Sequence, residues 1–159
     1  MLVNLRTYFK KEINLFKKMI KKIVFILAVI PIILGVSVTK LNVQNYDNMV
    51  NKSKDIWLIE FYSERCGTCQ EFEPIWKTVI PKIKNIKIGR VNIDDEQGLK
   101  LAEQMEMLEE GIPRVILSYG NKQIITIMKG TDDLFDENKL LSTINLNIRK
   151  ITKSQNSDL

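Results

Sequence analysis

Between Lys22 and Lys40 no charged residue interrupts the chain, and Ile23 to Val38 reads IVFILAVIPIILGVSV, almost wholly aliphatic. Lys17, Lys18, Lys21 and Lys22 stand directly before it. A basic run ahead of a short apolar core is the pattern of a secretory signal or signal-anchor. At about 17 residues, the stretch lies at the lower edge of what spans a bilayer. Gly35 and Ser37 are small and suit cleavage after Ser37, and Met19 is a second candidate start. The pattern leaves open a cleaved signal, a retained anchor and a buried core helix. In the first two, the lysine-rich flank stays cytoplasmic and the following chain is translocated. The body is then expected in the secretory pathway or otherwise outside the cytoplasm, membrane-anchored or secreted.

After the leader the hydrophobic period alternates between that of strands and that of helices. Asn45 to Lys52 reads as a short helix. Ile56 to Tyr62 (IWLIEFY) is an apolar run holding one acid, the mark of a central strand buried on both faces. Cys66 to Lys84 is helical in pattern, with Phe72, Ile75, Trp76, Val79 and Ile80 on one face. Pro74 should kink it and Pro81 end or bend it. Ile86 to Ile93 alternates as a strand, and Asp94 to Leu108 reads as a polar-faced helix. Pro113 to Tyr119 and Gln123 to Met128 flank Gly120-Asn121 as a hairpin. Asp136 to Lys150 is an amphipathic helix with the stripe Leu140, Leu141, Ile144 and Ile148. The order β-α-β-α-β-β-α predicts an α/β fold: one mixed sheet, parallel in the centre, with an antiparallel edge hairpin and helices on both faces. The expected organisation is a leader over 1–38, one domain over 39–151 and a frayed polar tail over 152–159.

Composition narrows the function. The 159 residues are 45% apolar and 27% charged, which excludes collagen-like, mucin-like and wholly disordered chains. There is no histidine, so His-based metal sites, Ser-His-Asp triads and Cys-His proteases are excluded. Residues 1 to 40 carry eight Lys/Arg and one acid, while the rest carry 16 Lys/Arg and 18 Asp/Glu. The net charge of +5 therefore belongs to the leader, and no nucleic-acid partner is expected.

Cys66-Gly67-Thr68-Cys69 follows the buried strand and opens a helix. A thiolate there faces unsatisfied backbone N–H groups and the positive end of the helix dipole, so more of it is nucleophilic at neutral pH. Cys69 lies one turn on, within reach of the first sulfur. Cys66 is the candidate attacking thiol and Cys69 the resolving one, with Gly67 and Thr68 setting the local geometry. A stabilising disulfide closing so small a loop would constrain little of the unfolded chain. Two Cys without His do not make a standard zinc set in one chain, although a site shared between chains is a further reading.

By these residues the chain resembles the thioredoxin superfamily from about Val43 to Lys150. The carrying segments are WLIEFYSERCGTCQEFEPIW, VNIDDEQ, GIPRVILSYGNKQI and Lys129-Gly130. The resemblance implies a three-layer α/β/α sandwich with a mixed central sheet. It implies a thiol–disulfide oxidoreductase whose only redox group is the Cys66–Cys69 disulfide, with no other cofactor and no metal. It makes Ile112-Pro113 the family's cis-proline pair, placing the Ile112 backbone beside Cys66 to receive an extended substrate strand. It puts Glu60 where the family has a buried acid beneath the second cysteine, able to shuttle that thiol's proton. Arg90 falls where the family often has a lysine near that acid. The chain departs from the family at Arg65, where a Trp is usual, and in the dipeptide Gly67-Thr68. Arg65 adds positive potential near the thiolate or faces a partner. Together with Arg114, which would border the site, it points to acidic or specialised clients. Between Asp94 and Pro113 the chain is about one helical turn longer than common thioredoxins, around Met105 to Glu110.

The expected partners are disulfide-containing client proteins and a redox partner that regenerates the dithiol. A competing reading is an accessory subunit of a protein-export, folding or membrane complex, holding clients through Arg65 and the Met105 to Glu110 region. A third is soft-metal delivery by the thiolate pair.

Overall fold

The computed structural model describes residues 10, 12–22, 36–120, 122–130 and 135–157. The chain forms two units, Met1–Leu34 and Gly35–Leu159. In the first, residues 12–22 are helical, whereas the apolar residues 23–35 of the expected leader lie outside the described residues. Among the described residues no helix is long and apolar enough to cross a membrane.

The second unit holds strands β1 (Val38–Lys40), β2 (Trp57–Tyr62), β3 (Lys87–Asn92), β4 (Arg114–Tyr119) and β5 (Gln123–Lys129). Its helices are α1 (Gly67–Val79), α2 (Glu96–Gln104) and α3 (Glu137–Ser157). The sheet order is β1-β3-β2-β4-β5. The first three strands run parallel, and β4 and β5 are antiparallel. This is the mixed α/β sandwich expected, with one strand more. β1 pairs Val38 with Ile88, so the sheet begins inside the segment assigned to the leader.

Alternation along β2 builds two cores. Trp57, Ile59 and Phe61 face a cluster with Tyr46, Val50, Leu101 and Ala102, from the π-helical turn Asp47–Asn51 and its flank and from α2. Leu58 faces the other cluster, with Phe72, Trp76 and Val79 of α1 and Leu140, Ile144 and Ile151 of α3. A strand covered on both sides calls for a near-continuous apolar run, and IWLIEFY supplies one with a single exception. The exception, Glu60, shares the α1 side with Leu58 because the side-chain period is two.

Helix ends differ from expectation for local reasons. α1 runs through Pro74 and stops at Val79, because Pro81 has no N–H to continue it, and a 3₁₀ turn over Ile80–Lys82 follows. α3 continues to Ser157, so the tail expected to fray from Thr152 is helical that far. Ile151, 2% exposed, extends the apolar stripe and holds the added turns. α2 starts with Asp95 accepting a bond from the Gln97 N–H at 3.2 Å. Gly98 lets it cross close to β3, since a Cβ there would lie 2.0 Å from the Asn92 carbonyl oxygen.

At its end α2 closes in a Schellman pattern. The Glu106 N–H reaches the Glu103 carbonyl at 3.0 Å, and the Met107 N–H reaches Ala102 at 2.9 Å. Glu106 takes the left-handed position, φ 57°, which favours glycine. Met107 then tucks into the core at 6% exposure. Much of the Met105 to Glu110 insertion is therefore a helix stop and a core contact. Glu106→Gly should raise unfolding free energy by about 0.5–1 kcal/mol, by relieving a side chain in left-handed backbone. Urea unfolding checks this, and an unchanged midpoint contradicts it.

Candidate active site

The turn from β2 into α1 is held by one carboxylate. Asp94 follows β3, the parallel neighbour of β2, which brings it alongside Ser63. It accepts from the Ser63 hydroxyl (2.9 Å), the Glu64 N–H (2.7 Å) and Arg65 Nε (3.1 Å). The Ser63 oxygen in turn accepts from the Arg65 N–H at 3.0 Å. These bonds fix the chain just before Cys66.

Cys66 is the N-cap of α1, extended at φ −84° and ψ 119°. Its sulfur accepts from the Cys69 N–H at 3.2 Å, satisfying one orphan donor of the helix start. Gly67 is exposed, with nothing within 4 Å of where a Cβ would stand, and Thr68 is half-buried. The Cys69 thiol points back at the Cys66 sulfur, 2.6 Å away, and both cysteines are free thiols. Cys66 is partly exposed, and Cys69 is only 4% exposed. Burial pushes the Cys69 thiol up to about 12, with its bond to Cys66 and the charges of Cys66 and Glu60 acting in the same sense.

The Ile112–Pro113 peptide is cis, and the Ile112 carbonyl oxygen lies 3.8 Å from Cys66 Sγ. The loop is backed by Gly130, φ 53°, where a Cβ would meet the Glu110 carbonyl at 2.8 Å. Glu110 itself pairs with Arg114 (3.2 Å) and Lys129 (2.6 Å). Arg114 is 8% exposed, turned to Glu110 beneath the loop. Arg65, though exposed, is drawn to Asp94. Arg65 thus keeps its side chain at the surface, 81% exposed, while Arg114 is turned inward.

Beneath α1, Glu60 is fully buried. Its register partner on β3 is Arg90, whose Nε stands 2.6 Å from Glu60 Oε2. The contact is an ion pair off the line of a hydrogen bond, and neither Glu60 oxygen has a hydrogen-bond partner. Burial raises the Glu60 carboxyl to about 7, against the pull of Arg90 and with a smaller push from Glu73. The Arg90 guanidinium also holds Glu73 on α1 and lies 3.9 Å over the Tyr62 ring. A cavity of about 320 Å³ opens beside them, with Cys69, Tyr62, Glu73 and Arg90 in its wall.

The structure thus brings together Cys66, Cys69, Ile112 and Pro113, with Glu60 below. A match to the thioredoxin family model runs over residues 37–145. The chain belongs to the thioredoxin family. It is 35% identical over 85 residues to Protein disulfide isomerase-like 2-3 of Oryza sativa subsp. japonica, covering 53% of this chain and 18% of that protein. It is 40% identical over 63 residues to Protein disulfide-isomerase A6 of Mus musculus, covering 39% and 14%. The chain therefore matches under a fifth of either relative's length. The Trx4 domain of ERdj5 superposes with a TM-score of 0.54 at 22% identity, covering 70% of this chain and 96% of that one. The J-Trx1 fragment of ERdj5 gives 0.57 at 21% identity, covering 70% and 50%. At these identities the likeness is one of fold.

Sequence reasoning missed Asp94, Glu73 and Tyr62. Asp94 reads as a helix start, which its neighbour Asp95 supplies. Glu73, one turn beyond Cys69, carries a signal in its spacing alone. Among the described residues no group of three or more His, Cys, Asp or Glu is placed to hold a metal ion.

The asymmetry of the thiols has a direct readout. In the reduced protein at pH 8, iodoacetamide should label Cys66 well before Cys69, by about tenfold or more given the burial and raised value of Cys69. Peptide mapping by mass spectrometry checks the order, and equal labelling contradicts it.

Proposed function

We propose that the protein is a thiol–disulfide oxidoreductase acting outside the cytoplasm, which reduces or exchanges disulfides in client proteins through the Cys66–Cys69 couple. The observation that carries this reading is a part-exposed sulfur at a helix start, 2.6 Å from a buried one, above a buried acid. Family membership and the names of the disulfide-isomerase relatives support it. The location rests on the lysine cluster and apolar run of the leader.

In this mechanism a client strand lies along the Ile112 backbone, beside Cys66. The Cys66 thiolate attacks one sulfur of the client disulfide. That bond breaks, a mixed disulfide forms, and the second client sulfur leaves as a thiolate and takes a proton. Cys69 then attacks Cys66 Sγ, closing the Cys66–Cys69 disulfide and releasing the client's first sulfur. A thiol at about 12 does not ionise by itself at neutral pH, so a base must take its proton. Glu60, near 7, suits that task. A redox partner returns two electrons and two protons to restore the dithiol.

The test is insulin reduction with dithiothreitol as electron donor. The wild type should accelerate precipitation, Cys66→Ser should lose the catalysed rate on the order of 100-fold, and Cys69→Ser should accumulate mixed disulfide. A wild type no faster than dithiothreitol alone defeats the catalytic reading in favour of client holding.

Resolution also has a pH signature. Below about 7 Glu60 keeps its proton and cannot accept another, so wild-type resolution should rise with pH through a midpoint near 7. Glu60→Gln should slow resolution by about 100-fold, remove that midpoint and spare the attack step. Quenched-flow trapping of the mixed disulfide measures both, and unchanged resolution retires Glu60 from this role.

A further inference from the structure

The Arg90 guanidinium is shared unequally between two acids. Its terminal nitrogens Nη1 and Nη2 stand 3.3 and 2.5 Å from the two oxygens of Glu73. Only Nε is left for Glu60, at 2.6 Å and off the hydrogen-bond line. A guanidinium is a rigid fork that prefers to close on a carboxylate with two parallel N–H groups. Here that preference is spent on the outer acid and not on the buried one.

We propose that Glu73 is a positioning residue for disulfide exchange, which holds the Arg90 fork away from Glu60 so that the buried carboxylate stays basic enough to accept the Cys69 proton. The proposal rests on the oxidoreductase reading above. Were Glu73 neutral, no second carboxylate would hold the terminal nitrogens, and the fork could turn both N–H groups onto Glu60. A buried carboxylate closed in a bidentate ion pair is a poor base, because its charged form is then held too well.

The surroundings are consistent with this division. Glu73 is partly exposed at 28% and Arg90 at 19%, while Glu60 has no exposure, so the cation bridges from rim to core. The centroid of the Tyr62 ring on β2 lies 3.9 Å from the guanidinium carbon, a cation–π contact. Lys77, one turn along α1, also contacts Glu73, at 3.2 Å, and competes with Arg90 for it. Desolvation pushes Glu73 up, but Arg90 and Lys77 hold it below the ordinary carboxylate value, so it stays charged across the neutral range. Its charge raises Glu60, opposing the effect of Arg90. The remaining ionisable neighbours are Cys69 from α1 and Glu64 from the turn.

The experiment follows resolution of a Cys66 mixed disulfide with glutathione against pH, in the full chain. Glu73→Gln should move the midpoint down from near 7 by about one unit and lower the plateau rate about threefold, as a weaker base would. Attack by Cys66 on oxidised glutathione should be unchanged. Glu73→Asp, which keeps the charge, should recover much of the wild-type profile. Lys77→Gln, an exposed change that leaves the fold intact, should shift the midpoint upward by freeing Glu73 for Arg90. A Glu73→Gln profile that overlays the wild type, or a Lys77→Gln shift that is downward or absent, overturns the proposal and leaves the oxidoreductase reading standing. A wild type that never resolves the mixed disulfide refutes the underlying reading instead.

Discussion

A carboxylate with no contact with solvent sits in the middle of this sheet, and the site is arranged around the cost of keeping it there. Burying Glu60 is unfavourable unless a cation follows, and Arg90 follows as its neighbour in the β2–β3 register. An apolar residue at position 60 would fold the sheet at least as well. The arrangement also ties stability to pH. Glu60 holds its proton more tightly folded, near 7, than at its ordinary 4.5. The native state therefore binds more protons than the unfolded chain between those values, and Glu60 subtracts stability as pH rises through that window.

The same burial separates the two sulfurs. One helical turn divides Cys66 from Cys69, yet one stands part-exposed at the rim and the other is buried, within the field of the Glu60 charge. That difference comes from the direction α1 takes, and the direction is set before the helix starts. Asp94 gathers three donors from residues 63 to 65 and aims the chain, while Glu110 and Gly130 support the proline loop from the other side. The Cys66 sulfur is thus positioned by polar contacts from two flanks and by packing from below.

How much of this could be read from the residues depends on the kind of force involved. The unbroken apolar run of β2, the alternation of β3 and the hairpin were legible because burial imposes a period on them. The cysteine pair and Pro113 were legible because their chemistry is specific to few settings. Arg90 stood in the right place for Glu60, but its second grip on Glu73 depends on where α1 crosses the sheet, which spacing alone does not show. The full length of α3 is not legible in the pattern, because polar residues around Ile151 hide the one apolar contact that extends it. β1 was hidden more completely, since its first residue closes an aliphatic run that already had another explanation.

That hidden strand bears on maturation. Val36 packs against the core and Val38 opens a hydrogen-bonded edge, so the bond after Ser37 lies between two anchored residues. A peptidase needs several residues of extended, accessible chain across its cleft. Once β1 has docked, Val36 and the backbone from Val38 onward are engaged, although Ser37 and Val38 keep their side chains exposed. Were the expected leader removed after Ser37, the cut would fall directly before the first rung of the sheet, so the retained chain would keep β1 and lose Val36 from the core.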